Sequence, residues 1–300
     1  MGEIKANGYW RMAKRITYLV LLLMLPLMAV AQDQLMYDQY HDLSFYNPAV
    51  SDVDGDYKHY VQTWAHAAFA AKDYVKRYDS ELYEDINVGA RYQGRLDQHF
   101  FSVSYHYDGY SFYHQHTIGL GYAYEFVIKD IHHLSIGGRL QVNFCDIMPE
   151  KLSFQTDWLK SFQMTPDVDL GIQYRLRGLH LGVSVVNLAG NSAANNTALI
   201  QYERRGYLNL SYDFALDAKK NIILSPHVLF YLGQHTASLD AGINLGLWRY
   251  AHVGYTFRVL EMRHIVTAGF EYKGFVLDLA SELVALERKE RVQVAIGYKF

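Results

Sequence analysis

The sequence predicts an all-β fold: a transmembrane antiparallel β-barrel of about fourteen strands, preceded by a cleaved signal peptide. Three observations predict it. Segments in which apolar side chains alternate with small or polar ones recur along the chain, each about ten residues long, the length of a tilted membrane strand. Tyrosine occurs 26 times and aromatic residues make up 15% of the 300-residue chain. Such side chains gather where one end must be apolar and the other wet, as at a membrane interface. Finally, segment 290–300 places Val292, Val294, Ile296, Tyr298 and Phe300 on one face and Arg291, Gln293, Ala295, Gly297 and Lys299 on the other. A continuous apolar face backed by a small or polar one suits a wall between lipid and a wet lumen, and a closing strand that ends on Phe is expected of outer-membrane barrels.

The N-terminus is read as a signal peptide over residues 1–31. Arg11, Lys14 and Arg15 form a positive region, 16–30 is apolar apart from Thr17, Tyr18 and Pro26, and Ala29 and Ala31 give a small-x-small cleavage site before Gln32. The run is shorter than the roughly 20 residues a helical span needs, and Pro26 interrupts it. No later stretch is apolar enough for such a helix. The formal net charge of −3 carries no nucleic-acid footprint, so no nucleic-acid partner is expected. Cys145 is the single cysteine, so no intramolecular disulfide can staple the fold.

Residues 32–56 are too polar and too long for a strand end. They form a lead-in segment, either folded into the lumen as a plug or contacting a periplasmic partner. Asn47-Pro48 punctuates it, because Pro holds the preceding residue in extended geometry. Residues 57–300 are assigned to the barrel. A weak first strand lies at 57–67. Clear alternation follows at 86–93, 101–107, 118–126, 134–144, 168–175, 179–188 and 208–214, then at 222–232, 239–247, 252–260, 266–273, 275–284 and the closing segment.

The connections supply an independent check. If the first strand runs outward, every even-numbered connection (94–98, 129–132, 176–178, 215–221, 248–251 and 273–274) is short. The three long ones, 68–85, 146–167 and 189–205, all fall in the odd set. Short periplasmic turns with longer outer loops are the expected asymmetry. The lipid face is nearly free of charge. The inward face carries many Gly, Ala and Ser residues, with Arg91, Arg139, Glu125, Asp240 and Glu271 among them. Small residues leave room for an inserted segment or a partner, and opposed charges on neighbouring strands can pair.

A family resemblance rests on particular residues. Gln32-Asp33-Gln34 leads to Tyr37, Gln39 and Tyr40, and 43–50 reads Leu-Ser-Phe-Tyr-Asn-Pro-Ala-Val, with Asn47, Pro48 and Ala49 as its turn. Gln62-Thr63-Trp64, the run 181–188, the segments 244–247 and 254–258, and 264–269 continue the likeness along the mature chain. The chain thus resembles the PorP/SprF family of type IX secretion system membrane proteins from Bacteroidetes. It departs from the family after Asn-Pro-Ala, where Val50-Ser51-Asp52 stands in place of the frequent Tyr-Ala-Gly, and around Trp64, which lacks the Gly and Pro that often follow. The resemblance implies a multi-pass protein of the cell outer membrane that helps export or anchor a large cell-surface cargo, of the gliding-adhesin type, through the cargo's C-terminal domain. Its implied partners are that secreted surface protein, other type IX secretion components and outer-membrane lipid. Within the long outer connections, Tyr74, Tyr78, Tyr83, Trp158 and Phe162 are candidate partner-binding anchors, aromatics of the type that dominate interface energies. A porin-like solute channel is the alternative.

Catalytic and metal chemistry is not expected. His114-x-His116 puts two rings on one strand face, but a metal needs three or four convergent ligands. Ser104 with His106 and His180 with Ser184 lie on inward faces, away from a lipid substrate, and no orienting acid accompanies them. The expectation is a non-enzymatic protein with no cofactor.

Overall fold

The computed structural model describes residues 41–53, 57–70, 86–110, 113–148, 162–189, 202–233, 237–248, 250–283 and 289–300. The signal-peptide reading, residues 32–40 and 54–56 of the lead-in, and the candidates Gln39, Tyr40, Tyr74, Tyr78, Tyr83 and Trp158 lie outside the described residues.

A single antiparallel sheet closes on itself. Its spanning strands are β1 (His59–Ala70), β2 (Ile86–Leu96), β3 (His99–Tyr110), β4 (Tyr113–Ile128), β5 (His132–Ile147), β6 (Phe162–Leu176) and β7 (Leu179–Val186). Then come β8 (Arg205–Tyr212), β9 (Ile222–Leu232), β10 (Ala237–Leu247), β11 (Ala251–Arg258), β12 (Arg263–Tyr272), β13 (Phe275–Leu283) and β14 (Lys289–Lys299). The two-residue piece Phe214–Ala215 pairs with the start of β9. Each strand pairs with its sequence neighbour, and β1 pairs with β14 in a register running from Tyr60↔Lys299 to Ala70↔Lys289. Closure leaves no sheet edge, as hydrocarbon requires of backbone groups that have no water to bond.

All fourteen alternating segments are strands. The weak first one is shifted, starting at His59 and running to Ala70. The larger difference concerns the connection read as 146–167: β5 continues to Ile147, and β6 begins at Phe162. Thr165, Pro166 and Asp167 look like loop residues by composition. In the barrel Thr165, Asp167 and Asp169 are buried on the inward face, while Phe162, Met164 and Leu170 are exposed to the outside. A period of two that survives a Pro and three polar residues identifies the strand.

The short connections turn tightly. Asp97, Lys129, Asp130, Arg177, Lys220, Trp248 and Lys273 adopt positive φ, and at the hairpin 273–274 Gly274 (φ +84°) does so as well. Positive φ at both central residues matches the right-handed twist of the flanking strands. These turns lie at one end of the barrel, and the last residues of β1, β5 and β7 lie at the other.

Burial is inverted relative to a soluble protein. The large exposed side chains are apolar and point outward, among them Phe101, Val103, Leu120, Leu140, Leu170, Val183 and Ile243. Inside, the buried side chains are largely polar: Gln62, Asn87, Gln93, Asn143, Gln173, Asn209, Asn244 and Gln293. The five inward charges singled out from sequence are all paired. Arg139 meets Asp169 at 2.7 Å and Arg258 meets Asp240 at 3.1 Å, both across neighbouring strands. Lys299 meets Glu271 at 2.9 Å, and Glu125 takes Arg175 together with Arg95 at 3.3 Å. Arg91 does something else, which defines the site.

Candidate functional site

Residues 41–53 lie in the lumen. They begin at His41, form a single helical turn, α1 (Leu43–Tyr46), turn at Asn47-Pro48-Ala49, and run to Val53. Asp42, Ser44, Tyr46, Asn47, Ala49 and Val53 are all buried. A segment with this many amides and carbonyls can sit inside a barrel only if its polar groups find partners. Here they do, on strands around the wall.

Arg91 on β2 reaches out of the sheet to this segment. Its guanidinium contacts Asp42 at 2.8 Å and Asp52 at 3.1 Å and donates to Ser44 Oγ, which in turn donates to Asp52 at 2.6 Å. Burial raises the Asp42 carboxyl above its usual range, against the opposing pull of Arg91. Gln293 of β14 donates to Asp42 at 3.3 Å, and the Asp52 amide donates to Gln93 at 2.9 Å. On the other wall Arg139, held by Asp169, donates to the carbonyls of Phe45 (2.8 Å) and Ser44 (3.3 Å), satisfying groups at the end of a turn too short to bond them itself. Ser184 of β7 donates to the Tyr46 carbonyl at 2.8 Å. Asn244 Nδ2 lies 2.8 Å from His41 Nε2, and the His41 ring stacks on His252 at 3.7 Å.

The Asn-Pro-Ala turn is seated on glycines. Asn47 Oδ1 accepts from the Ala49 amide at 3.0 Å, and Asn47 Nδ2 donates to the Ile172 carbonyl at 3.1 Å. Gly137 and Gly171 face each other across β5 and β6. A Cβ on Gly137 would stand 2.4 Å from the Pro48 carbonyl oxygen, and one on Gly171 2.0 Å from Asn47 Oδ1. The wall is hollowed where the turn presses on it. Beside it, Tyr46 packs with Trp64, Val186, Tyr207, Leu229, Tyr231 and Ala295, the main apolar cluster of the lumen. Trp64 lies over its register partner Gly89 and donates to Asn87 at 3.3 Å.

Asn47, Pro48, Ala49 and Trp64, which carry part of the family resemblance, therefore belong to one assembly inside the barrel. The segment leaves a cavity of about 240 Å³ towards the long connections, lined by Phe45, Trp64, His106, Asn143, Tyr202 and Arg205 among others. Towards the short turns it leaves cavities of about 260 and 170 Å³, both bordered by His41, Asp52 and Lys299.

The sequence profile described as type IX secretion system membrane protein PorP/SprF matches residues 29–298. The chain belongs to the PorP/SprF family. No curated protein matches it in sequence. Its fold is similar to that of the Pseudomonas putida toluene transporter TodX, with a TM-score of 0.53 at 8% identity, over 86% of this chain and 93% of the transporter. It is also similar to the Ralstonia pickettii toluene transporter TbuX, with a TM-score of 0.55 at 9% identity, over 85% and 92% of the two chains. At such identity the likeness establishes an outer-membrane β-barrel fold and nothing about ligands.

Of the candidate partner-binding aromatics, Phe162 alone is described in this PorP/SprF chain. It is the first residue of β6 rather than part of a loop, and its side chain is exposed on the outside of the barrel. His114 and His116 each face outward against a tyrosine, at Tyr107 and Tyr105 respectively. Among the described residues no group of three or more His, Cys, Asp or Glu is placed to hold a metal ion. Sequence reasoning did not find the Asp42–Arg91 contact, since its partners are 49 positions apart and no periodicity links them.

Proposed function

We propose that this chain is a non-catalytic outer-membrane component of the type IX secretion system that helps export or anchor a large cell-surface protein of the gliding-adhesin type through that protein's C-terminal domain. Family membership supports the secretion role. One observation carries the choice of scaffold over pore: a segment bearing the family's Asn-Pro-Ala turn occupies the lumen and is bonded to opposite walls through Arg91, Arg139 and Ser184. Such a barrel offers a rigid mouth, with its long connections as the surface for cargo and its short turns for periplasmic components.

The toluene transporters of similar fold raise the reading of a hydrocarbon channel, and the lumen chemistry weighs against that one. A hydrocarbon pathway calls for an apolar lining, whereas Gln, Asn, Asp and Arg side chains dominate here. Affinity capture of the tagged protein from its native outer membrane tests the proposal. The expected result is co-recovery of a surface protein with a C-terminal secretion domain, together with secretion components. Recovery of neither, combined with steady ion conductance of the purified barrel in a planar bilayer, would overturn the scaffold reading in favour of a channel.

A further inference from the structure

The lipid-facing histidines follow one rule. His59, His99, His114, His116, His132 and His264 project from the outer face of the barrel, and each has Nδ1 within 2.6–3.1 Å of a tyrosine hydroxyl. The partners are Tyr92, Tyr122, Tyr107, Tyr105, Tyr174 and Tyr255, in that order. All six pairs share one geometry. Each histidine bonds not the residue directly opposite but the one two positions along the neighbouring strand. His59, for instance, lies opposite Gly94 and bonds Tyr92, and His264 lies opposite Phe257 and bonds Tyr255.

The offset has a constant direction. In every pair the tyrosine lies two residues nearer the middle of the barrel wall and the histidine nearer the rim. His59, His99 and His132 open β1, β3 and β5 at the short-turn end. His114, His116 and His264 lie at the start of strands running the opposite way, at the long-connection end. The two belts bracket an apolar zone: on β3 the outward side chains between His99 and Tyr105 are Phe101 and Val103, and on β4 those between His116 and Tyr122 are Ile118 and Leu120. From His99 to Tyr107 is about 27 Å of strand, or about 20 Å along the membrane normal at a tilt of about 40°, close to the height of a barrel's apolar band.

The chemistry follows from depth. A tyrosine hydroxyl at the edge of the hydrocarbon is best satisfied by donating to the imidazole two residues shallower. An imidazole that accepts at Nδ1 carries its proton on Nε2. Every pair keeps one N–H donor at headgroup level, with no second protein partner among the described residues. The strongest acceptor at that depth is an anionic phosphate oxygen.

We propose that these six Tyr–His pairs form two belts of lipid-phosphate sites, in which each histidine Nε2–H donates to the phosphate of a bilayer lipid and so sets the height of the barrel in the membrane.

Solid-state NMR on the unmodified protein tests this. Histidine ring nitrogens are labelled with 15N, the barrel is reconstituted into phospholipid bilayers in phosphate-free buffer, and Nε2 signals are recoupled to lipid 31P. The outward histidines should dephase, while the lumen-facing His133 and His180 should not and serve as internal controls. A second sample in a phosphate-free glycolipid bilayer with inorganic phosphate separates bilayer lipid from free ion and should show no dephasing. Outward histidines that ignore lipid 31P would overturn the proposal, as would equal dephasing by inorganic phosphate alone or equal dephasing of the controls. Tyr122→Phe and Tyr174→Phe leave the fold's apolar surface intact and should weaken the 31P contact of His99 and His132 selectively.

Discussion

Gly137→Ala tests whether the wall is shaped around the inserted segment. The added Cβ would lie 2.4 Å from the Pro48 carbonyl oxygen and 2.8 Å from Ala49 Cα. Both are backbone atoms, so no side-chain rotation relieves the clash, and the segment must retreat from the wall. Retreat strains the Asn47–Ile172 and Ser184–Tyr46 hydrogen bonds at the same time. Forcing one extra methyl into a packed site costs about 1–3 kcal/mol. At about 1.4 kcal/mol per tenfold, that raises the opening equilibrium of the segment by roughly 5- to 150-fold. Hydrogen exchange read by mass spectrometry on 43–53 reports it, because the Asn47 and Val50 amides are bonded within the segment and exchange when it opens. The neighbouring Gly138→Ala is the control: its Cβ would point outward and meet Leu170 Cδ2 at 3.4 Å, an ordinary contact. Equal protection of 43–53 in the two variants would refute the idea that this glycine exists to seat the Asn-Pro-Ala turn.

Three further outcomes are expected. Arg91→Met leaves two carboxylates, Asp42 and Asp52, without their guanidinium, and removing one partner of a buried pair costs about 3–5 kcal/mol; exchange of 41–53 should rise steeply, and Asp42→Asn in the same chain should recover part of the loss. Arg258→Met strands Asp240 in the barrel wall, where both side chains are 2% exposed; the free energy of unfolding in urea should fall by a similar amount, and a companion Asp240→Asn that brings no recovery would argue against the pair as its cause. The third concerns pH. Burial, followed by the nearby His252 and His227, holds the His41 pKa well below its ordinary value of 6.5. Insertion therefore favours the neutral ring, and its contribution is fully present above pH 6.5 and declines as pH falls below that value. Exchange of the segment should accelerate on acidification, and His41→Phe should flatten the profile.

The barrel was legible because lipid imposes a period of two on every strand and tolerates few exceptions. The closing segment reads correctly residue by residue: Gln293, Ala295 and Lys299 are buried in the lumen, and Ile296, Tyr298 and Phe300 face out. The start of β6 was harder, since Pro166 and its polar neighbours mimic a loop until their alternate burial is seen. The pairing of Arg139 with Asp169 and of Arg258 with Asp240 could be anticipated in kind, as opposed charges on neighbouring inward faces. The attachment of the inserted segment could not. Asn47 finds Ile172, and Asp42 finds Gln293, across separations that only closure brings together. The sequence also carries the histidine belts in plain view, yet His114-x-His116 suggests a metal half-site until register shows each ring against its own tyrosine.

The seam between β1 and β14 joins the two ends of the chain's strand order, and the ring is sealed only where they meet. The insert crosses that seam: Asp42 bonds Arg91 on β2, on one side of it, and Gln293 on β14, on the other. Its remaining bonds reach β5, β6 and β7 on the far wall. The segment is thus a brace across the one junction of the wall that sequence neighbours do not make.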